Sequence, residues 1–172
     1  MKNKEIADNH KRYIQRLERY KKFGYDTEKQ RDFVVKKAHP FKEEVLEIGT
    51  GKGYFTLALA RKKINLVSID SSFEEQALAL LNLKYCGLED RIIFITADAL
   101  RLCFKDESFN TVFCVNTAHH FKDYNPLFDE LLRVVKKGGK LVLSDFNSRG
   151  SELIDKIHNS EGRRHFSHRV SL

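Results

Sequence analysis

Apolar positions along the chain recur with two different periods. Over residues 2–22, Ile6, Tyr13, Leu17 and Tyr20 fall near three- or four-residue steps, the spacing of an amphipathic helix. KFGYDT then predicts a break: Gly24 suits a left-handed turn, and Thr27 with Gln30 suits a capping box opening a second helix toward Lys37. Pro40 closes this preamble. From residue 43 short apolar runs alternate with helix-length amphipathic ones. VLEIG (45–49), LVSID (66–70), RIIFITA (91–97), TVFCVN (111–116) and KLVLSDF (140–146) are predicted strands, with helices over 53–62, 72–86 and 124–136. The strand runs are almost continuously apolar and rich in Val and Ile, as expected where helices cover both faces of a parallel sheet. The pattern predicts an α/β fold with a doubly wound, mostly parallel sheet. The final SELIDKIHNSEGRRHFSHRVSL predicts one short helix over 153–158 and no clear strand.

Length and composition narrow the class. At 172 residues, with 41% hydrophobic and 32% charged positions, the chain suits one globular domain rather than a disordered one. Residues 1–40 are expected to form a helical cap and residues 41–172 the core. No apolar stretch approaches the roughly 20 residues that span a bilayer. MKNKEIADNH lacks the apolar segment of a secretory signal, so a cytoplasmic protein without a membrane partner is expected. The net charge of +7 is mostly N-terminal: residues 1–40 hold twelve Lys/Arg against six Asp/Glu. Such a segment can be a solvated helix face or can meet a phosphate backbone. Cys86, Cys103 and Cys114 sit among apolar residues without a CxxC pair and are expected to be reduced core thiols.

The candidate chemistry lies at EIGTGKG, just after the first predicted strand, where open α/β sheets bind ligands. A dinucleotide fingerprint would need glycine at Tyr54, and a Walker loop is absent. What stands is Glu47 followed by alternate glycines, Gly49, Gly51 and Gly53. Glycines let a ligand approach the backbone, and the carboxylate would repel a pyrophosphate but favour an ammonium. Asp70, 19 residues after Gly51, ends the second strand where a carboxylate can take both ribose hydroxyls. Asp98 and Ala99, past the third strand, can meet an adenine edge. These features fit an adenosine ligand with a cationic tail.

VLEIGTGKG, VSIDSS, ITADALRLCFKDESFNTVFCVNTAHHF and LLRVVKKGGKLVLSDF, in that order over residues 41–147, resemble the class I S-adenosylmethionine-dependent methyltransferases. The resemblance implies a Rossmann-like sheet of order 3-2-1-4-5 and the cofactor S-adenosylmethionine, with S-adenosylhomocysteine as product. It implies that Gly49, Thr50, Gly51 and Gly53 line the methionine and ribose, with Glu47 near the amino group. Asp70 would hold the ribose, Ser71 would border the adenine, Asp98 and Ala99 would read its edge, and Asn116 would lie beside the methionine.

His119 and His120 follow the fourth strand, where a general base could take a proton from an acceptor; loop packing is the other reading of the pair. Adjacent histidines alone do not make a metal site. Tyr25 and Phe23 occupy a loop that in relatives often shelters the cofactor. Two departures stand out. Asn110 replaces the family's usual Asp, and only 25 residues follow Asn147. The family's sixth and seventh strands are therefore expected to be absent or incomplete, leaving a sheet edge open to homodimer pairing.

The acceptor is expected to be a small molecule, as in the group that includes quinone C-methylating enzymes. The alternatives are a nucleic-acid methyltransferase that uses the basic N-terminal segment and a non-catalytic cofactor-binding subunit. Against the nucleic-acid reading, NTAHH lacks the Asn/Asp-Pro-Pro-aromatic signature of base amino-group methylation.

Overall fold

A computed structural model describes residues 2–162. Helix α1 (Lys2–Lys22) ends where Gly24 takes φ +88°, and α2 (Thr27–Ala38) follows. Asp26, not Thr27, caps α2: its backbone is extended and its carboxylate accepts from the Lys29 N–H at 3.0 Å. Thr27 lies inside the first turn and is buried, so it cannot serve as the predicted cap. With Arg31, Val34, Val35 and Ala38 it forms the buried stripe of α2.

The core then runs β1 (Val45–Ile48), α3 (Tyr54–Arg61), β2 (Leu66–Asp70), α4 (Phe73–Cys86), β3 (Ile92–Thr96), β4 (Phe109–Val115), α5 (Asn125–Val134), β5 (Val135–Ser144) and α6 (Ser148–Ser160). The five strands form one parallel sheet of order β3-β2-β1-β4-β5, as expected. Chain order reverses between β1 and β4, which puts a crevice above their carboxyl ends.

Two elements differ from the sequence expectation. β5 begins at Val135 opposite Phe109, then slips register around Gly138 and Gly139 before Lys140 pairs with Thr111, so the fifth strand starts earlier than predicted. Helix α6 is longer than predicted because the Asn147 side chain accepts from the Gly150 N–H at 2.9 Å and opens it at Ser148. Among the described residues no strand lies beyond β5.

Alternation along β1 divides the core. Val45 faces a cluster with Val35, Phe55 and Phe113, packed with α2 and α3, whereas Leu46 and Ile48 face a second cluster with Leu127, Leu131 and Val134 of α5. Glu47 falls on the α2/α3 face, which decides its surroundings. A third, smaller cluster joins Tyr20 of α1 to Ile154 and Ile157 of α6, so the first helix and the last described one meet over the strand ends. Of the three free cysteines only Cys114 is buried. Cys103 is exposed, in a loop after β3 where the neighbouring apolar residues do not enclose it.

Candidate functional site

The loop after β1 continues the parallel ladder, since the Gly49 and Thr50 N–H groups both donate to the Ile69 carbonyl, at 2.8 and 3.0 Å. Two of its glycines meet different constraints. At Gly49, φ +84°, an added Cβ would lie 2.2 Å from Thr117 Oγ1, so the missing side chain admits the turn after β4. At Gly51, φ +47°, an added Cβ would meet nothing within 4 Å. Gly51 lines a cavity of about 550 Å³, a size ordinary for small-molecule sites.

Asp70 is fixed from the same loop. One carboxylate oxygen accepts from the Gly51 N–H at 2.7 Å and the other from the Ser72 N–H at 2.9 Å. Each oxygen keeps acceptor capacity for a further donor. Beside it, Ser71, Asp98 and Ala99 line the same cavity, and one Asp98 oxygen turns back to the Leu100 N–H at 2.9 Å. Asn116 and His120 border it from the β4 side.

Four predicted residues stand away from the lining. An added Cβ at Gly53 would lie 2.8 Å from Ala79 Cβ, so this glycine serves the packing of the loop against α4. Thr50 turns behind the loop into a polar chain: Gln76 Nε2 donates to Thr50 Oγ1 (3.2 Å), Thr50 to Ser68 Oγ (2.6 Å), and Ser68 to Glu47 Oε2 (2.7 Å). Ser68 has one proton and donates it to the carboxylate, so Thr50 must donate to Ser68; the chain therefore runs one way, ending on Glu47. Thr56 donates to the same Glu47 oxygen at 2.7 Å.

Glu47 is 1% exposed and its Oε1 has no hydrogen-bond partner. Burial raises its pKa to about 7, against the pull of the Ser68 and Thr56 hydroxyls and of the Arg31 charge.

His119 is the fourth. Its backbone N–H donates to Asp145 Oδ2 (2.9 Å) and its Nδ1 lies 2.6 Å from Oδ1, tying the turn after β4 to the end of β5. Burial favours the neutral Asp145 carboxyl, but the His119 hydrogen bond and charge, with backbone N–H donors, hold its pKa below the ordinary value. His119 is buried, whereas its neighbour His120 is exposed at the cavity.

Sequence reasoning passed over Arg31, which stands at an apolar-stripe position of α2 yet is only 8% exposed. Its Nη1 donates to Tyr25 Oη at 3.0 Å. With the Asn116 amide oxygen turned toward it, Nη1 and Nη2 donate to that oxygen at 2.7 and 3.0 Å, while Nε has no partner. Among the described residues no carboxylate pairs with this guanidinium, a costly state for a buried cation. Its signal was the spacing 27, 31, 34, 35, 38, which sets a charge among core positions. Tyr25 borders Asn116 and packs against Tyr20 and Phe146, whereas Phe23 is exposed. Tyr20 and His158 also line the cavity from α1 and α6.

A larger recess of about 640 Å³ lies at the opposite strand ends, around Val45, Leu66 and Phe109, with Lys42, Glu43 and Lys63 scattered along it. Its Glu44 carboxylate is held by the Asn110 and Lys136 side chains, and it sits at the wrong end of a parallel sheet for a ligand. Among the described residues no group of three His, Cys, Asp or Glu is placed to hold a metal, and no helix is long and apolar enough to cross a membrane.

Comparison with known proteins places this cavity in context. Residues 46–143 match the family model described as a methyltransferase domain. The chain is 34% identical over 113 residues to a demethylmenaquinone methyltransferase of Deinococcus radiodurans, covering 66% of this chain and 47% of that protein. It is 31% identical over 105 residues to the 27-O-demethylrifamycin SV methyltransferase of Amycolatopsis mediterranei, covering 60% and 39%. The crystal structure of YcgJ from Bacillus subtilis superposes with a TM-score of 0.61 at 28% identity, covering 75% of this chain and 56% of that one. The chain thus spans less than half the length of these two curated relatives.

Proposed function

Because the chain belongs to the methyltransferase-domain family, we propose that its cleft binds S-adenosylmethionine and that the protein transfers a methyl group to a small-molecule acceptor, releasing S-adenosylhomocysteine. The observation that carries this reading is Asp70, whose two oxygens are each anchored by a backbone N–H at the cavity wall and each retain a lone pair for a ribose hydroxyl. Ser71, Asp98 and Ala99 then surround the adenine, and Gly49 and Gly51 leave the backbone bare beneath the ribose and methionine.

The other end fits an α-amino acid. Two oppositely charged buried groups, Glu47 and Arg31, each hold one atom without a hydrogen-bond partner, and Asn116 contacts the guanidinium between the loop and the cavity. Neither side chain lines the cavity, so both act on the amino-acid end from behind, Glu47 near the amino group and Arg31 through the cavity-lining Asn116. Thr50 and Gly53 support the loop from behind rather than touch the ligand.

When bound, the cofactor supplies an electrophilic methyl group on a sulfonium, so the protein's part is alignment and water exclusion. His120, at the cavity surface, takes the proton of an oxygen or nitrogen nucleophile, and His119 fixes the turn that carries it through Asp145. The two curated relatives named above are called after demethylmenaquinone and demethylrifamycin SV, both small molecules, which supports that acceptor class.

Calorimetry with S-adenosylhomocysteine tests the reading. The wild-type chain should bind it, and Asp70→Ala should weaken binding by about 1.5–3 kcal/mol, the range for hydrogen bonds to a charged group. Thermal unfolding of the variant separates lost binding from lost fold. Unchanged affinity in a folded Asp70→Ala protein, or stabilisation of the wild type by NAD and not by S-adenosylhomocysteine, would overturn it.

A further inference from the structure

The edges of the sheet, β3 and β5, are finished differently. At β3 the Ile95 carbonyl accepts from Gln76 Nε2 at 3.2 Å and the Thr96 hydroxyl donates to Gln76 Oε1 at 3.1 Å, so α4 holds that strand through a side chain. Along β5 a groove of about 380 Å³ runs between the strand and α2, lined by Phe33, Lys37 and the whole run from Lys140 to Ser144. All four residues of β1, at the centre of the sheet, are buried, whereas none from 140 to 144 is. Phe33 is 59% exposed and Leu143 41%, which leaves large apolar side chains along this edge. Edge strands are commonly protected from pairing by a charge, a proline or a bulge. Here the bulge at Gly138 and Gly139 lies before the run, and its one charge, Lys140, donates to the Ala38 and Pro40 carbonyls.

The backbone of this run has a fixed sense. The Ser144 carbonyl accepts from the Asn116 N–H at 2.7 Å, so the main-chain groups of Ser144 face β4. These groups alternate sides along a strand. Those of Val142 and Lys140 therefore also face β4, and those of Leu141 and Leu143 point away from the sheet. The run is self-complementary in this arrangement. Rotated about a two-fold axis at Val142, it meets its own copy antiparallel, with Leu141 opposite the partner subunit's Leu143 and Leu143 opposite the partner subunit's Leu141. Each such pair exchanges both of its N–H···O bonds, and the two valines at the axis form the close, non-hydrogen-bonded pair between them. Lys140 then lies opposite the partner subunit's Ser144, so like charges do not face each other across the strands. The leucines share one face of the new pair, and Val142 lies on the other, toward the groove that Phe33 lines.

From this we infer that the partner of this edge is a second copy of the chain, joined β5 to β5, antiparallel about an axis at Val142, as a homodimer with one continuous sheet. The inference is independent of the cofactor reading above. Main-chain bonds supply attachment in strand addition, and side-chain matching selects the partner. A strand of another sequence could offer the same main-chain bonds without this symmetric matching of leucine to leucine and lysine to serine.

Sedimentation velocity of the full chain under reducing conditions tests this. At micromolar concentration it should give a species of twice the mass of one chain. Leu143→Lys should raise the dimer dissociation constant at least tenfold, whereas Ile93→Lys, at an exposed position of the β3 edge, should leave it within twofold. Circular dichroism of each variant separates a lost dimer from a lost fold. Register is read by cross-linking in a Cys103→Ser background, which removes the exposed thiol. There Val142→Cys should form an intermolecular disulfide on oxidation, because Cα atoms of such a close pair lie about 4.5 Å apart, within disulfide reach. Leu143→Cys should not, since its own copy is displaced along the strand. A monomeric wild type, a dimer that survives Leu143→Lys or is broken by Ile93→Lys, or cross-linking at Leu143→Cys equal to or above that at Val142→Cys would each overturn the inference.

Discussion

The half of the cleft over β2 and β3 and the half over β4 and β5 are built by different means. In the first, carboxylates are held by backbone N–H groups from short range: Asp98 by Leu100, and Asp70 by Ser72 and, from 19 residues earlier in the chain, by Gly51. In the second, groups far apart in sequence meet: Arg31 with Asn116, His119 with Asp145, and Tyr20 with His158 at 3.1 Å. A ligand common to many proteins can be read by short, locally folded segments. A ligand peculiar to one protein is read by side chains that only tertiary packing collects.

The largest expected effect lies at the seam between the halves. Gly49→Ala would drive a Cβ into Thr117 from the β4 side and hold alanine at φ +84°, so overpacking and backbone strain together should destabilise the protein by about 4 kcal/mol. Gly51→Ala, in the same loop but facing open space, should cost only about 1–2 kcal/mol of strain. Denaturant unfolding of the two variants checks this. Equal losses would show that Thr117 does not join the halves.

A smaller effect should separate them. Asp145→Ala leaves the His119 and Phe146 N–H groups without their acceptor, at about 2–3 kcal/mol of stability. Affinity for S-adenosylhomocysteine should stay within about threefold, since Asp145 does not line the cavity. An equal fall in both would mean the two halves act as one unit.

The smallest effect concerns Glu47, which belongs to neither half. Its pKa rises from 4.5 in the unfolded chain to about 7 in the folded one, so between those values the native state holds a proton the unfolded chain has released. Stability contributed by that proton is full below pH 4.5 and is lost as pH rises through about 7. Between pH 5.5 and 7 the wild type should lose on the order of 1 kcal/mol that Glu47→Gln does not lose. Parallel stability curves for the two proteins would assign the titration to another group.

The difference between the halves also explains what could be read from the sequence. Five strands and their parallel order follow from apolar runs buried on both faces and from a motif order that resembles one family. Asp70, Ser71, Asp98 and Ala99 could be placed at the cavity from sequence because each sits within three residues of a strand end. Arg31 could not, because its meaning depends on Asn116, 85 positions away, although its place on the apolar stripe of α2 marked it. His119 and His120 were legible as a pair but not as two roles, since only the position of Asp145 shows which ring is tied down and which faces the cavity. The same holds for the glycines: three look alike in sequence, yet Gly49 and Gly53 yield to protein neighbours and only Gly51 to open space.

The contact of Tyr20 with His158, 138 positions apart in the chain, bears on how the molecule comes into being during synthesis. Everything between them, including the whole sheet, can leave the ribosome and pair before these two residues meet. The wall over β2 and β3 is then assembled early, while the ceiling over β4 and β5 closes only after α6 has emerged. A nascent chain halted short of that helix would carry a nearly finished wall over β2 and β3 and a cavity without its roof.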